Sequence, residues 1–322
     1  MNGRLAIVSA CVLVAWSVSG STAEPVRAAV DQKLLPETAL RQLRQSIDRA
    51  RNETPEAFAA IDRVIAYFPE MKAQSFGRGP TTISFALRYY GSDALFPMLE
   101  LLVYGVPENT DYDLEAWPEI QVALIGAVGQ IRDPRSFPIL SAILDSNLVN
   151  EAALEETAAS LARLESDDVI RFLFSVLDDP SRPARQRRAV LYGIGYCGRT
   201  AVAERLADEL QRHPDLEEAI ILVESLGRAG NWGLWSDPSK QHKDEEASTK
   251  RVAAEAALWT YTQYEDIRVR RAARCTVLVV CDPDTSHLIG NARVDAPSET
   301  QAAFDRLEEL WQYHSSQTHC VQ

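Results

Sequence analysis

Histidine is scarce in this sequence. The five residues among 322 are His213, His242, His287, His314 and His319, with no HExxH and no tight ligand pair. His314, His319 and Cys320 form the one cluster. Its spacing is wrong for a single helix face and no second half of a ligand set accompanies it, so no metal site is expected. Neither GxSxG nor SxxK occurs, and Gly77–Arg78–Gly79 alone is not a phosphate loop. No nucleophile and base can be assembled from local spacing. An excess of positive charge is also missing: Lys and Arg total 33 against 46 Asp and Glu, a net charge of −13. A surface this acidic repels nucleic acid and anionic lipid. Beyond the amino terminus no apolar stretch reaches the ~20 residues needed to cross a bilayer. These absences argue against an enzyme, a nucleic-acid-binding protein and a membrane-spanning chain, and they imply no cofactor.

Residues 1–23 read as an export signal. Met1–Arg4 is a short positive start, Leu5 to Val18 is apolar, and Ser21–Thr22–Ala23 supplies small residues before Glu24–Pro25. Cleavage after Ala23 would make Glu24 the first residue. Val8–Ser9–Ala10–Cys11 looks like a bacterial lipobox, although the apolar stretch ahead of Cys11 is very short and apolar sequence continues past it. With Cys11 removed, Cys197, Cys275, Cys281 and Cys320 remain, an even number that permits two disulfides. Cys275 and Cys281 stand about 120° apart around one helix, so they do not bridge each other. Cys197 and Cys275 are expected as buried free thiols.

What the sequence has is a small-residue signature returning every 32–33 residues. Ala127–Val128–Gly129 is followed by Ser160–Leu161–Ala162, Gly193–Ile194–Gly195 and Ser225–Leu226–Gly227. A fixed period of this size marks stacked supersecondary units. Leu140, Leu173 and Leu206 share one column, and Leu144, Leu177 and Leu210 another four residues later, so each pair lies on one helix face. Leu124 with Val128, and Val190 with Ile194, form the stripe of a preceding helix. Short polar turns (Arg132–Asp133–Pro134–Arg135, Glu165–Ser166–Asp167–Asp168, Gly198–Arg199–Thr200) join the two, which makes them antiparallel. Gly129, Gly195 and Gly227 stand near the end of the first helix, where a small residue admits a neighbouring backbone or caps the helix. Glycine there without such a role would cost ~1 kcal/mol against alanine.

Leu177–Asp178–Asp179–Pro180, then Arg185–Gln186–Arg187–Arg188–Ala189 and Gly195, resemble a HEAT repeat, in the short form found in phycobilisome lyases and many bacterial proteins. Asp266–Ile267–Arg268–Val269–Arg270–Arg271–Ala272–Ala273 carries the same opening. The resemblance covers residues 80–295. It implies an all-α fold, an α-solenoid of five or six HEAT-like helical hairpins, and is nearly silent on function. It also implies a ladder of acidic residues and first-helix arginines, at Asp178 or Asp179 with Arg187 and at Asp266 with Arg270. Arg88 and Leu278 break the small column, so those two units are expected to pack less regularly.

The flanks read as follows. Residues 24–79 hold a start at 24–33 that reads as extended or disordered, a helical pair at 36–50 and 55–68, and a linker at Met71–Pro80; Thr54–Pro55–Glu56 opens the second helix. Phe96–Pro97 before Leu99 matches Phe137–Pro138 before Leu140 at a longer interval, which places an inserted loop at Val106–Pro118. The rhythm breaks again at 229–249. Helices follow at 247–264 and 266–281. Ser298–Glu299–Thr300–Gln301 reads as a capping box for a terminal helix, 296–316, that buries Phe304, Leu307 and Trp311 and caps the stack. Residues 317–322 are a tail.

Trp232 and Trp235, in the Gly/Asn/Pro-rich insertion, and Trp117, in the upstream loop at Asp111–Trp117, are the candidate binding residues, because exposed tryptophan is enriched in hot spots. The competing reading folds Trp232 and Trp235 back over the interrupted stack. Arg185, Arg187 and Arg188 form one basic patch and Arg268, Arg270, Arg271 and Arg274 another, both assigned to the ladder; Glu151, Glu155 and Glu156 form a solvated acidic face. The expectation is a non-catalytic scaffold, secreted or periplasmic, that binds a protein or peptide on a preformed surface lined by the second helices. The resemblance raises a lyase-like enzyme acting on a tetrapyrrole as an alternative, against which the export signal argues because that work is cytoplasmic. A structural lipoprotein of an envelope complex, anchored at Cys11, is the third reading.

Overall fold

Short polar side chains start the helices. Asn150, Ser166 and Asp215 accept hydrogen bonds from the backbone N–H three residues on, at 2.9, 3.4 and 2.9 Å. Asp266 accepts from Arg268 and Val269 in the same way. Pro55, Pro118 and Pro138 occupy first turns, where a missing N–H costs nothing. The ends are just as regular. Arg132, Glu165, Gly198 and Cys281 have φ of 57°, 56°, 58° and 58°. Each lies three residues after Gly129, Ala162, Gly195 or Leu278, the third position of the repeated signature. Three of these four are not glycine, so tertiary packing holds them left-handed against a local cost of ~1–2 kcal/mol.

The computed structural model describes residues 28–74, 79–106, 112–294 and 296–318. The export segment, the lipobox at Cys11, Asp111, His319 and Cys320 lie outside the described residues. Among those described, the regular secondary structure is all helical. The α-helices are α1 (Glu37–Glu53), α2 (Pro55–Ala66), α3 (Phe68–Gln74), α4 (Gly79–Arg88), α5 (Leu95–Tyr104), α6 (Trp117–Ile131), α7 (Phe137–Asp145), α8 (Glu151–Ala162) and α9 (Asp167–Asp178). They continue as α10 (Ala184–Gly193), α11 (Thr200–Gln211), α12 (Leu216–Ala229), α13 (Trp232–Trp235), α14 (Glu246–Gln263), α15 (Ile267–Val280), α16 (Thr285–Val294) and α17 (Ser298–Thr318).

The contacts sort these helices into two rows. In the first, α4, α6, α8, α10, α12 and α15 each pack on the next. In the second, α5, α7, α9, α11 and α14 each pack on the first-row helix that follows them or, for α14, on α15. Leu140, Leu173, Leu206, Leu144, Leu177 and Leu210 are buried between the rows, and α17 buries Phe304, Leu307 and Trp311.

First-row helices approach as closely as backbone allows. A Cβ on Gly129 would stand 2.3 Å from Ser160 Oγ, and one on Gly195 2.1 Å from the Ser225 carbonyl oxygen. Hydroxyls occupy the facing positions. Ser84, Ser160 and Thr276 donate across to the carbonyls of Ala123, Ile125 and Val223, each at 2.9 Å, and Ser225 Oγ accepts from the Gly195 N–H at 3.2 Å. These glycines are therefore approach positions; the turns that end the helices lie three residues later. Thr276, two residues before Leu278, keeps the close contact between α12 and α15, so the irregularity expected at Leu278 is absent.

Other expectations need correction. Ala29 and Val30 are buried, and the Ala29 N–H donates to the Leu102 carbonyl at 2.8 Å, so the start of the described chain is packed on α5. Most of the linker expected at Met71–Pro80 is helix, in α3 and α4. Cys275 is exposed, while Cys197 is the buried free thiol. Cys281 is disulfide-bonded. No described helix is long and apolar enough to cross a membrane.

Candidate interaction surface

The insertion at 229–249 closes on the helix ends. Asn231 caps α13 by accepting the Gly233 N–H at 2.7 Å. That turn points Trp235 inward, where its Nε1–H donates to the Ala229 carbonyl at 2.9 Å. The Lys240 ammonium lies 4.7 Å from the Trp235 ring centroid. Lys240 is fully buried, pairs with buried Glu165 at 2.6 Å and donates to the Cys197 carbonyl at 3.0 Å. Arg132 lies 3.3 Å from Glu165 and 3.3 Å from Asp237, and donates to the Ser239 carbonyl at 3.1 Å. Further along, Glu245 pairs with Arg199 at 2.6 Å and accepts the Thr200 N–H at 2.7 Å.

The insertion is thus a strap across the left-handed ends of α6, α8 and the turn after α10. Helix ends leave carbonyls without intrahelical partners, and a cation there is favoured by the helix dipole. Lys240 meets both conditions. Burial raises the carboxyl of Asp237, but hydrogen bonds from Ser239 and the charges of Arg132 and Arg88 outweigh it and hold the group below its usual range. Glu245 is likewise lowered: burial opposes, while the Thr200 N–H and Arg199 prevail. Burial pushes the Cys197 thiol up to about 12.

The three tryptophans separate. Trp235 is 2% exposed and Trp117 3% exposed, whereas Trp232 is 44% exposed. Trp117 stacks on Tyr112 with centroids 6.3 Å apart, and the Tyr112 hydroxyl bonds Asp62. Trp232 is the one of the three that faces solvent. The ladder expected from the resemblance is rewired. Asp178 pairs with Arg205 at 2.6 Å and Asp179 with Arg182, not with Arg187. Asp266 is occupied as the cap of α15 and pairs with Arg268 at 3.3 Å, while Arg270 donates to the Tyr264 carbonyl.

Arg187 and Arg268 instead belong to a surface made by the outer sides of four first-row helices. α8 presents Glu151 and Glu155, α10 presents Arg187 and Arg188, α12 presents Glu217, Glu218 and Glu224, and α15 presents Arg268 and Arg271. The dominant sign alternates from helix to helix; Arg228 on α12, paired with Glu224 at 3.5 Å, is the exception. A groove of 420 Å³ runs between α10 and α12, with Leu191 and Ile221 among the charged side chains. A second, of 710 Å³, runs between α12 and α15 and contains Cys275. Gly227 and Thr276, which meet across α12 and α15, line the second groove. Arg228 stacks 4.0 Å over Tyr192 and donates to its carbonyl, and Arg163 lies 4.5 Å over Tyr196, which stiffens the edge of the face.

Few of these charges are satisfied within the chain. Arg268 and Glu217 pair at 2.7 Å, but both are more than half exposed, and such a pair contributes little. Among the described residues Glu151, Glu155, Arg187, Arg188, Glu218 and Arg271 form no ion pair. Burial raises the Glu155 carboxyl; Arg188 opposes this and Glu151 adds to it. The grooves lie on the first helices, where the sequence pointed to the second. The signal was present as Glu-rich and Arg-rich openings of successive units, but it becomes one face only when the helices stand side by side. No protein-family model and no curated protein matches the chain.

Proposed function

We propose that this chain is an extracytoplasmic α-solenoid of HEAT-like repeats that works as a non-catalytic scaffold for a polypeptide partner. The observation that carries the reading is the first-row face, with two grooves, charges of both signs and few internal ion pairs. Its backbone is fixed by glycine-tight interfaces and its turn edge by the strap, so binding orders little that is not already ordered. Contacts that run from each first-row helix to the next suit a stack of repeats. Mixed charge suits a protein surface better than a nucleic acid, whose phosphates the acidic helices repel. The amino-terminal pattern and the disulfide-bonded Cys281 support a site outside the cytoplasm.

The test is site-specific photo-crosslinking in the exporting cell, with the crosslinker placed in turn at Arg187 on α10 and at Arg171 on α9, both solvent-exposed. Crosslinks to polypeptide from position 187 and none from 171 are expected. Crosslinks from 171 alone, or a protein retained in the cytoplasm with residues 1–23 intact, overturn the proposal.

A further inference from the structure

The alternation of sign has a symmetry consequence. A two-fold interface sets one patch against a copy of itself, so the patch must be self-complementary. The order on this face is acidic α8, basic α10, acidic α12, basic α15. Rotation by half a turn about an axis parallel to these helices, lying in the interface midway between α10 and α12, sets α8 opposite the partner's α15 and α10 opposite the partner's α12. Every stripe then meets its opposite. The other in-plane axis, perpendicular to the helices, sets α10 on α10 and α12 on α12, like on like.

We infer that the partner of this face is a second copy of the same chain, paired about that first axis. The inference rests on the reading of the first-row face as the binding surface. Leu191 and Ile221, in the groove between α10 and α12, would sit at the axis, with Arg187, Arg188, Glu217 and Glu218 around them. An apolar centre with a charged surround is the usual anatomy of an interface. The size also suits. α8, α10, α12 and α15 have 12, 10, 14 and 14 residues. At 1.5 Å per residue their mean length is about 19 Å, and at 8–10 Å spacing four of them span roughly 40 Å. The face is then ~700 Å² per copy and ~1,400 Å² for the pair, within the range of stable specific interfaces. The unpaired carboxylates and guanidinium groups find partners across the axis.

The test is sedimentation equilibrium of the mature chain by analytical ultracentrifugation, with two charge reversals. One variant is Arg187→Glu/Arg188→Glu, the other Glu217→Arg/Glu218→Arg. The native chain is expected to dimerise at ~0.05 M salt and to weaken as salt screens the pairs. Each variant alone is expected to lose dimer affinity by on the order of 100-fold. Mixed together, the two variants are expected to pair, since each then offers what the other lacks. One chain carrying all four substitutions is expected to dimerise again, because its α10 and α12 have exchanged signs. Restoration in the mixture and in the fourfold variant shows that the single variants lost complementarity and not their fold. Dimerisation unaffected by either reversal, or failure of the fourfold variant to pair while its helicity and melting are native, overturns the proposed axis. A native chain that stays monomeric at ~100 μM under the same low salt overturns self-pairing altogether; if position 187 still crosslinks to another polypeptide, the scaffold reading survives.

Discussion

Replacing Gly193 by alanine sets two effects of opposite sign against each other. Gly193 ends α10 with φ −88° and ψ −27°, a conformation alanine adopts freely. Helix propensity alone therefore favours the variant by up to ~1 kcal/mol. The packing says otherwise. The new Cβ would lie 2.3 Å from the Ala159 nitrogen and 2.6 Å from the Ala158 carbonyl carbon, both backbone atoms of α8. No side chain can swing aside, so α8 and α10 must part by about 1 Å to reach ordinary contact. Overpacking of this kind costs ~1–3 kcal/mol. The upper end applies because the obstacle is backbone, and after the propensity gain ~2 kcal/mol of destabilisation remains. Gly290 in α16 is the control, with nothing within 4 Å of the added methyl. Gly290→Ala is expected to stabilise by up to ~1 kcal/mol. Urea denaturation of both variants beside the native chain reads the two signs from the transition midpoints at constant slope. Equal stabilisation by both substitutions would refute the argument that first-row helices meet backbone to backbone.

Four further expectations follow from the strap and the thiols. Lys240→Met leaves the buried Glu165 carboxylate with Arg132, at 3.3 Å, as its remaining cation and should cost ~3 kcal/mol in urea denaturation, part of it recovered when Glu165→Met is added. Asp237 and Glu245 have folded-state pKa values below their unfolded ones, so their stabilisation is complete at neutral pH and is lost as pH falls through the folded values. Release of the strap below pH ~4, seen as a red shift of tryptophan emission that Trp235→Phe diminishes, checks the sign. Trp235→Ala should cost ~3–5 kcal/mol while Trp232→Ala stays within ~0.5 kcal/mol; equal melting shifts for the two would contradict their placement. At pH ~8, and at a dilution that keeps the chain monomeric, iodoacetamide should label Cys275 in the native protein and Cys197 only after unfolding, as mapped by peptide mass spectrometry without reduction. Native labelling of Cys197 would mean that the strap does not cover it.

The leucine columns were readable because helical periodicity is local: residues four apart face the same way whatever lies outside the helix. The repeated glycines were readable as a pattern, but their role was not, since approach and capping both favour small residues. The structure separates the two: three of the four left-handed turns fall at Arg132, Glu165 and Cys281, residue types that carry no turn signal, and the fourth at Gly198. The ion-pair ladder was misassigned for a similar reason. Asp266 has two claims on it, the free N–H groups of α15 and the arginines around it, and capping holds its carboxylate beside Arg268. Trp235 was ambiguous because its cover comes from far away. Lys240, beside it, pairs with Glu165 on a helix end 75 positions earlier, a contact no local pattern announces. The alternating face lay in plain view as Glu151 and Glu155, Arg187 and Arg188, Glu217 and Glu218, Arg268 and Arg271, yet each pair reads alone as a solvated helix surface.

The proposed stack of helices underlies the reading of the grooves, the strap and the pairing axis, and small-angle X-ray scattering of the monomeric species tests it most directly. A compact globule of this length has a radius of gyration of about 20 Å. The proposed stack predicts a value clearly larger, with a pair-distance distribution skewed to long distances. A symmetric distribution at about 20 Å would contradict it.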